Sequence, residues 1–259
     1  MKIKDKNKLV TYVVLATLLI IVVGTLVITN KEKRGELGNL EEENKEEVLT
    51  GIDYYSIMNY QKLNTLPDKY YGYFYKINKV EAKNIDNKIK LYMAIRKVVA
   101  DQKLGDVEKE IKIKESDIKK AIKEIFGNNV VYKNESLSGN ACSYTNFQYD
   151  KSSKTYIQKP SDCTDNRTDT ILDEIISTTE ENNIVKVQEK VGFVETSYNL
   201  ETKKLSYNIY KDIEKKEKVA TVDNYSIDSC KELLNTYQYT FKKDNNHYYL
   251  ESTEMIVNE

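Results

Sequence analysis

Tryptophan is absent, histidine occurs once, proline twice and cysteine three times in a chain of 259 residues. A single histidine, His247, excludes paired-histidine zinc motifs and histidine-rich metal centres. Any Ser-His-Asp or Cys-His set would have to be built on that one residue, which reads as an ordinary turn or strand position. The nine glycines are scattered, and neither a G-x-x-x-x-G-K phosphate loop nor a Gly-x-Ser-x-Gly elbow occurs. So few glycines and prolines also argue against a collagen-like or disordered chain. Charge of one sign is missing too: 40 basic and 41 acidic side chains leave a net charge of −1. No basic patch or stripe stands out, so nucleic acid is not an expected partner, and no cofactor is implied.

Against this even background one segment is extreme. Leu9 to Thr29 carries no charged side chain and is bracketed by Lys2, Lys4, Lys6 and Lys8 on one side and by Lys31, Lys33 and Arg34 on the other. As a helix rising ~1.5 Å per residue, the run matches a hydrocarbon core of ~30 Å. It is longer than a secretory h-region and ends without a small-x-small cleavage site, and no cysteine lies nearby for lipid attachment. A soluble core helix would rarely be apolar on every face for so long. The expectation is an uncleaved signal-anchor over 9–29, with residues 1–8 as a basic cytoplasmic tail. Both flanks are basic, so the charge bias is small. The short N-terminus favours the bulk of the chain outside the cell membrane, as a single-pass protein anchored in the lipid bilayer.

Residues 30–50 are almost wholly polar and read as a charged spacer, leaving 51–259 as an extracytoplasmic domain of ordinary size. Tyrosine, at 21 residues, takes over the aromatic burial that tryptophan would provide. It concentrates at Tyr70, Tyr71, Tyr73 and Tyr75, around Gly72 and Phe74. An aromatic contact face is one reading of that cluster; packing of the first elements onto a sheet is the plainer one.

Apolar spacing predicts amphipathic helices over Asp86 to Ala100 and over a segment capped by Ser116, with Ile118, Ile122, Ile125 and Phe126 on one stripe and Gly127 as the stop. Beyond Gly127 the period shifts to two. Strands are expected at Val130–Tyr132, Ser143–Tyr149, Thr155–Gln158, Ile184–Tyr198, Leu205–Ile209 and Val219–Val222. Within the long strand, Val185, Val187, Val191 and Phe193 share a face. A short helix is expected from Thr170 with Ile171, Leu172, Ile175 and Ile176 buried. Another is expected at the Ser229-x-x-Glu232 capping box. A terminal hairpin joins Tyr237, Tyr239 and Phe241 to Tyr249–Ile256. The order implies an α+β domain with helices on one face of a curved antiparallel sheet, by analogy a cystatin-like or NTF2-like cone.

Cys142 and Cys163 flank a predicted hairpin centred on Ser152-Ser153, whose register pairs Tyr149 with Tyr156 and brings the cysteines opposite each other. Directly opposed antiparallel residues lie close to disulfide reach, so a Cys142–Cys163 bond is expected outside the cytoplasm. Cys230 is left over, in what reads as a first helical turn whose dipole would lower its pKa. Asp162, Asp165 and Asp169 could gather round Ca²⁺, but their spacing matches no known loop and the turn glycine is missing. Asn134, Asn166 and Asn224 begin N-glycosylation sequons, which an Asn-rich chain produces by chance.

Ile125-Phe126-Gly127, Cys142, Tyr149-Asp150, Lys154, Tyr156 and Cys163 resemble a pattern in single-pass membrane proteins of AT-rich Gram-positive bacteria. Tyr237-x-Tyr-x-Phe241 and Tyr248-Tyr249-Leu250-Glu251 are similar as well. The resemblance implies a location and the disulfide, and carries no activity. With no catalytic set in view, the chain reads as a non-enzymatic anchored domain that binds a protein or cell-envelope component. A small-ligand-binding or hydrolytic domain using the concave face of the sheet is the alternative. A subunit of a membrane complex that pairs through its apolar helix is a third reading.

Overall fold

A computed structural model of the chain describes residues 54–62, 66–104, 108–140, 142, 144–161 and 170–256. Contacts divide the chain into Met1–Thr50 and Gly51–Glu259, and every described residue belongs to the second part. The expected anchor over 9–29 and the spacer over 30–50 lie outside the described residues. Among those described, no helix is long and apolar enough to cross a membrane.

The fold is α+β, with three helices and two antiparallel sheets among the described residues. The helices are α1 (Tyr54–Asn59), α2 (Asn87–Asp101) and α3 (Glu115–Phe126). A small sheet has the order β2-β4-β3, from Ile111–Lys114, Thr155–Gln158 and Gln148–Asp150. The large sheet contains β1 (Lys79–Glu81), β5 (Thr170–Glu181), β6 (Ile184–Asn199), β7 (Lys204–Tyr210), β8 (Lys218–Val222), β9 (Asn235–Asp244) and β10 (His247–Ile256).

β6 is the spine of the large sheet, and its registers show that the sheet forks. One edge of β6 pairs with β5 from Ile184 to Val194. The other edge is shared: Ile184–Val191 pairs with β9, and Phe193–Asn199 pairs with β7. Gly192 sits at the changeover. A Cβ there would lie 3.0 Å from Ile209 and 3.2 Å from Ile227, so the small residue admits a close approach at the seam.

The odd-numbered face of β6 carries Val185, Val187, Val191 and Phe193 into the main core, as the alternation predicts. The buried apolar side chains of all three helices belong to that core. The even face builds a smaller cluster, in which Val194, Ile209, Ile227, Cys230 and Leu234 pack together. Nearer β1 the even face carries a polar ladder: Ser177 donates to Gln188, Gln188 to Gln238 at 3.1 Å, Gln238 to Glu254 at 2.9 Å, and Glu254 pairs with Lys79.

α2 begins where predicted, with the Asp86 side chain accepting from the Lys88 amide at 2.8 Å. It is not the surface helix that its lysines suggest. Ile89, Leu91, Tyr92, Met93, Ala94 and Ile95 are all fully buried, and so, nearly, are Lys90 and Lys97. Lys90 donates to the Lys83 and Val131 carbonyls, while Lys97 pairs with Asp101 at 2.6 Å and Glu124 at 3.1 Å, tying α2 to α3. Burial alone would lower the Lys97 pKa; these two carboxylates reverse the shift and raise it. α3 starts at Glu115, one residue before the expected cap Ser116, and its actual cap position, Lys114, makes no side-chain cap bond. The helix stops at Gly127, whose φ of 79° lies in the left-handed region.

Several other expectations fail. Thr170–Ile176 is not a helix but the start of β5: its β-branched residues suit a strand, and one long edge of β6 needs a partner. Val130–Tyr132 forms no strand, and among the described residues between Gly127 and β3 a single bridge, Leu137 to Phe147, is formed. The Ser229-x-x-Glu232 box opens no helix. A short 3-10 turn over Lys231–Leu233 starts on Cys230 without a side-chain cap, and β9 follows at once. β2 was not foreseen. The Tyr149–Tyr156 pairing is as predicted, although the loop holds four residues and not two.

Candidate functional site

The core stripe of β6 is interrupted by a carboxylate. Glu189 is 0% exposed between Val187 and Val191, where alternation calls for an apolar side chain. One oxygen accepts from Lys62 Nζ at 2.7 Å and the other from the Tyr75 hydroxyl at 2.7 Å. Tyr239 in turn donates to the Tyr75 oxygen at 3.2 Å. Lys62 also reaches Asp173 of β5 at 3.1 Å. One ammonium thus lies between two carboxylates, and burial pushes the Glu189 pKa up although Lys62 opposes the shift. Beside Lys62, Gln61 is fully buried, and its amide has no hydrogen-bond partner among the described residues.

This cluster has the composition of an acid–base site but not its access. Both Glu189 oxygens are occupied by neighbours, and the ring of Tyr75, one of those neighbours, packs edge-on against Phe193 at 5.6 Å and Tyr237 at 4.8 Å. Its immediate chemistry is structural: a charged tie from the segment after α1 to β5 and β6, buried where breaking it is costly.

The predicted aromatic face is split by the fold. Tyr70 and Tyr75 are buried, Tyr70 against Tyr92 at 5.7 Å and Tyr75 in the Glu189 cluster, so neither presents a contact surface. Tyr71 and Tyr73 are half-buried, and the Tyr73 hydroxyl accepts from the Asp86 amide at the start of α2. All four pack in or against the main core. Cys142 is half-buried, and Cys163 lies outside the described residues, as do Asp162, Asp165 and Asp169. Cys230 is buried beside Ile227, and burial raises its thiol pKa, the opposite of the expected dipole effect. Among the described residues no group of three metal-ligating side chains converges.

Open surface features lie elsewhere. The tip of the β6–β7 hairpin exposes Tyr198, Leu200 and Leu205, with Leu200 at 82%. Tyr198 and Leu205 are direct cross-strand partners, so their side chains share one face. A cleft of about 450 Å³ lies between α3 and the β9–β10 turn, lined by Ser116, Lys119, Lys120, Lys123, His247 and Tyr249 with Glu124 and Asn128. A second cleft of about 520 Å³ has an apolar floor of Phe126, Val130 and Leu250. Three of its lining charges are in ion pairs, Lys83 with Glu81 and Lys79 with Glu254. None of these features follows from a motif; the lysines of α3 read in the sequence as a solvated helix face.

Comparison with known protein families, curated proteins and solved structures gives no match.

Proposed function

We propose that the chain is a membrane-anchored extracytoplasmic domain that binds a protein or cell-envelope component and performs no catalysis of its own. The observation that carries this reading is the β6–β7 tip. Tyr198, Leu200 and Leu205 stand in solvent on a hairpin whose base is fixed in the sheet, an arrangement that suits contact with a partner. The uncharged run over 9–29 and the charged spacer after it support the location. Tyr75, Phe193, Tyr237 and Tyr239 fill space that a ligand or hydrolytic pocket on the core face would need, which favours binding at the surface.

For the finer architecture we propose a cystatin-like or NTF2-like cone. α2 is buried on nearly all sides, and register shifts at Ile175/Ser177 and Leu250/Ser252 would bend the sheet round it. A photo-crosslinking residue at position 200, installed in the full chain in cells, tests the function, with protease shaving of intact cells to report the compartment. Crosslinks to one extracytoplasmic species and loss of a C-terminal tag on shaving are expected. A tag cleaved only after permeabilisation overturns the location, and a tip that crosslinks nothing overturns the binding role.

A further inference from the structure

The cleft between α3 and the β9–β10 turn has a charge pattern that the fold does not need. Lys119, Lys120 and Lys123 project from one side of α3, with Ser116 a turn earlier. Lys119 and Lys123 are four residues apart, a like-charge spacing that disfavours an isolated helix. Neither is in an ion pair among the described residues. The one carboxylate in the lining, Glu124, is held by buried Lys97 at 3.1 Å and reaches Lys120 only at 3.7 Å. The site therefore keeps a positive excess on a protein whose net charge is −1.

The rest of the lining suits an oxyanion carried on a small organic body. His247, the only histidine of the chain, is exposed at the first position of β10 and stacks on Tyr249 at 6.3 Å with 21° between ring planes. Ser116 and Asn128 add neutral donors. Tyr249 also lies against Gly127, the stop of α3, so both walls are fixed by packing and by the Lys97–Glu124 tie. At about 450 Å³ the space exceeds a bare phosphate and falls in the range of small-molecule pockets. Lysine ammoniums act as point charges on phosphate oxygens, whereas planar carboxylates are matched best by arginine, which the lining lacks.

We propose that this cleft binds a phosphate-bearing ligand about the size of a sugar or glycerol phosphate, with Lys119 and Lys123 supplying the charge, His247 a ring N–H donor and Tyr249 the apolar wall. The phosphate is either that of a free small molecule or one unit of a phosphodiester polymer, and these share the same recognition chemistry.

Calorimetric titration of the full chain in detergent, with glycerol 3-phosphate, glycerol and poly(glycerol phosphate) as probes, tests it. Saturable binding of the phosphates but not of glycerol is expected, weakening as salt rises. The double variant Lys119→Gln/Lys123→Gln should bind at least 10-fold more weakly while its thermal midpoint stays the same or rises slightly, because both side chains are exposed. Polymer binding more than 10-fold tighter per phosphate than the monomer assigns a polymeric source; equal affinity assigns a free phosphorylated molecule. No saturable binding, or equal binding by the double variant, overturns the proposal. The crosslinking and shaving results at the β6–β7 tip do not bear on it, so the two readings stand or fall separately.

Discussion

Glu189 is a single residue on which the core's tolerance of charge depends. A carboxyl whose pKa is higher in the folded than in the unfolded chain binds its proton more tightly when folded. The stability this confers is present at acid pH. It is lost as pH climbs from the ordinary glutamate range, ~4.3, through the raised value. Urea midpoints measured from pH 4 to 8 should therefore fall through that window in the native protein, and Glu189→Gln should flatten this part of the profile. A slope unchanged in Glu189→Gln would assign the pH dependence to other groups. Lys62→Met leaves Glu189 without its cation, and breaking a buried pair from one side costs about 3–5 kcal/mol. Parity along Val185-x-Val187-x-Glu189-x-Val191-x-Phe193 is the signal that could have found this carboxylate, although the expected core face named only the apolar members. Its partners could not be read the same way, because Lys62 and Tyr75 reach it across more than a hundred residues of chain.

At the scale of elements, local signals succeeded where local forces decide. The Asp86 cap, the Gly127 stop and the alternation of β6 are all determined within a few residues. Asp86→Ala should cost about 1 kcal/mol, read as a lower denaturation midpoint at unchanged slope, and Asp86→Ser should restore most of it. The misread elements share a cause, since tertiary partners override local pattern. Lys90 and Lys97 make α2 look half-solvated, yet the Lys83 and Val131 carbonyls accept hydrogen bonds from Lys90, and Glu124 of α3, with Asp101 of α2 itself, pairs with Lys97. Thr170–Ile176 has turn-and-helix spacing, yet it pairs along β6. The α3 cleft was invisible for the same reason, because His247 and Tyr249 join the lysines only once β10 lies against the helix.

On the scale of the whole molecule, the compartment is the open variable, and the cysteines report it. Mass mapping of protein alkylated in intact cells should yield a peptide linking Cys142 and Cys163. Complete alkylation of both thiols would place the domain in a reducing compartment and remove the reason for the bond. Cys230 should react slowly in either case, since it is 3% exposed and its thiol pKa is raised by burial.

The shared edge of β6 also divides the molecule in time. The β6–β7 and β9–β10 hairpins join neighbours in sequence and can close in microseconds, whereas the β6–β9 ladder must wait for the chain from β7 through the Lys231–Leu233 turn to be gathered in. Gly192 lies where these early and late pairings meet. A refolding chain should therefore protect the β6 amides that bond to β5 or β7, partners joined to it by short turns, before those of Ile184–Val191 that bond to β9, so that one strand closes its near edges first and its shared edge last.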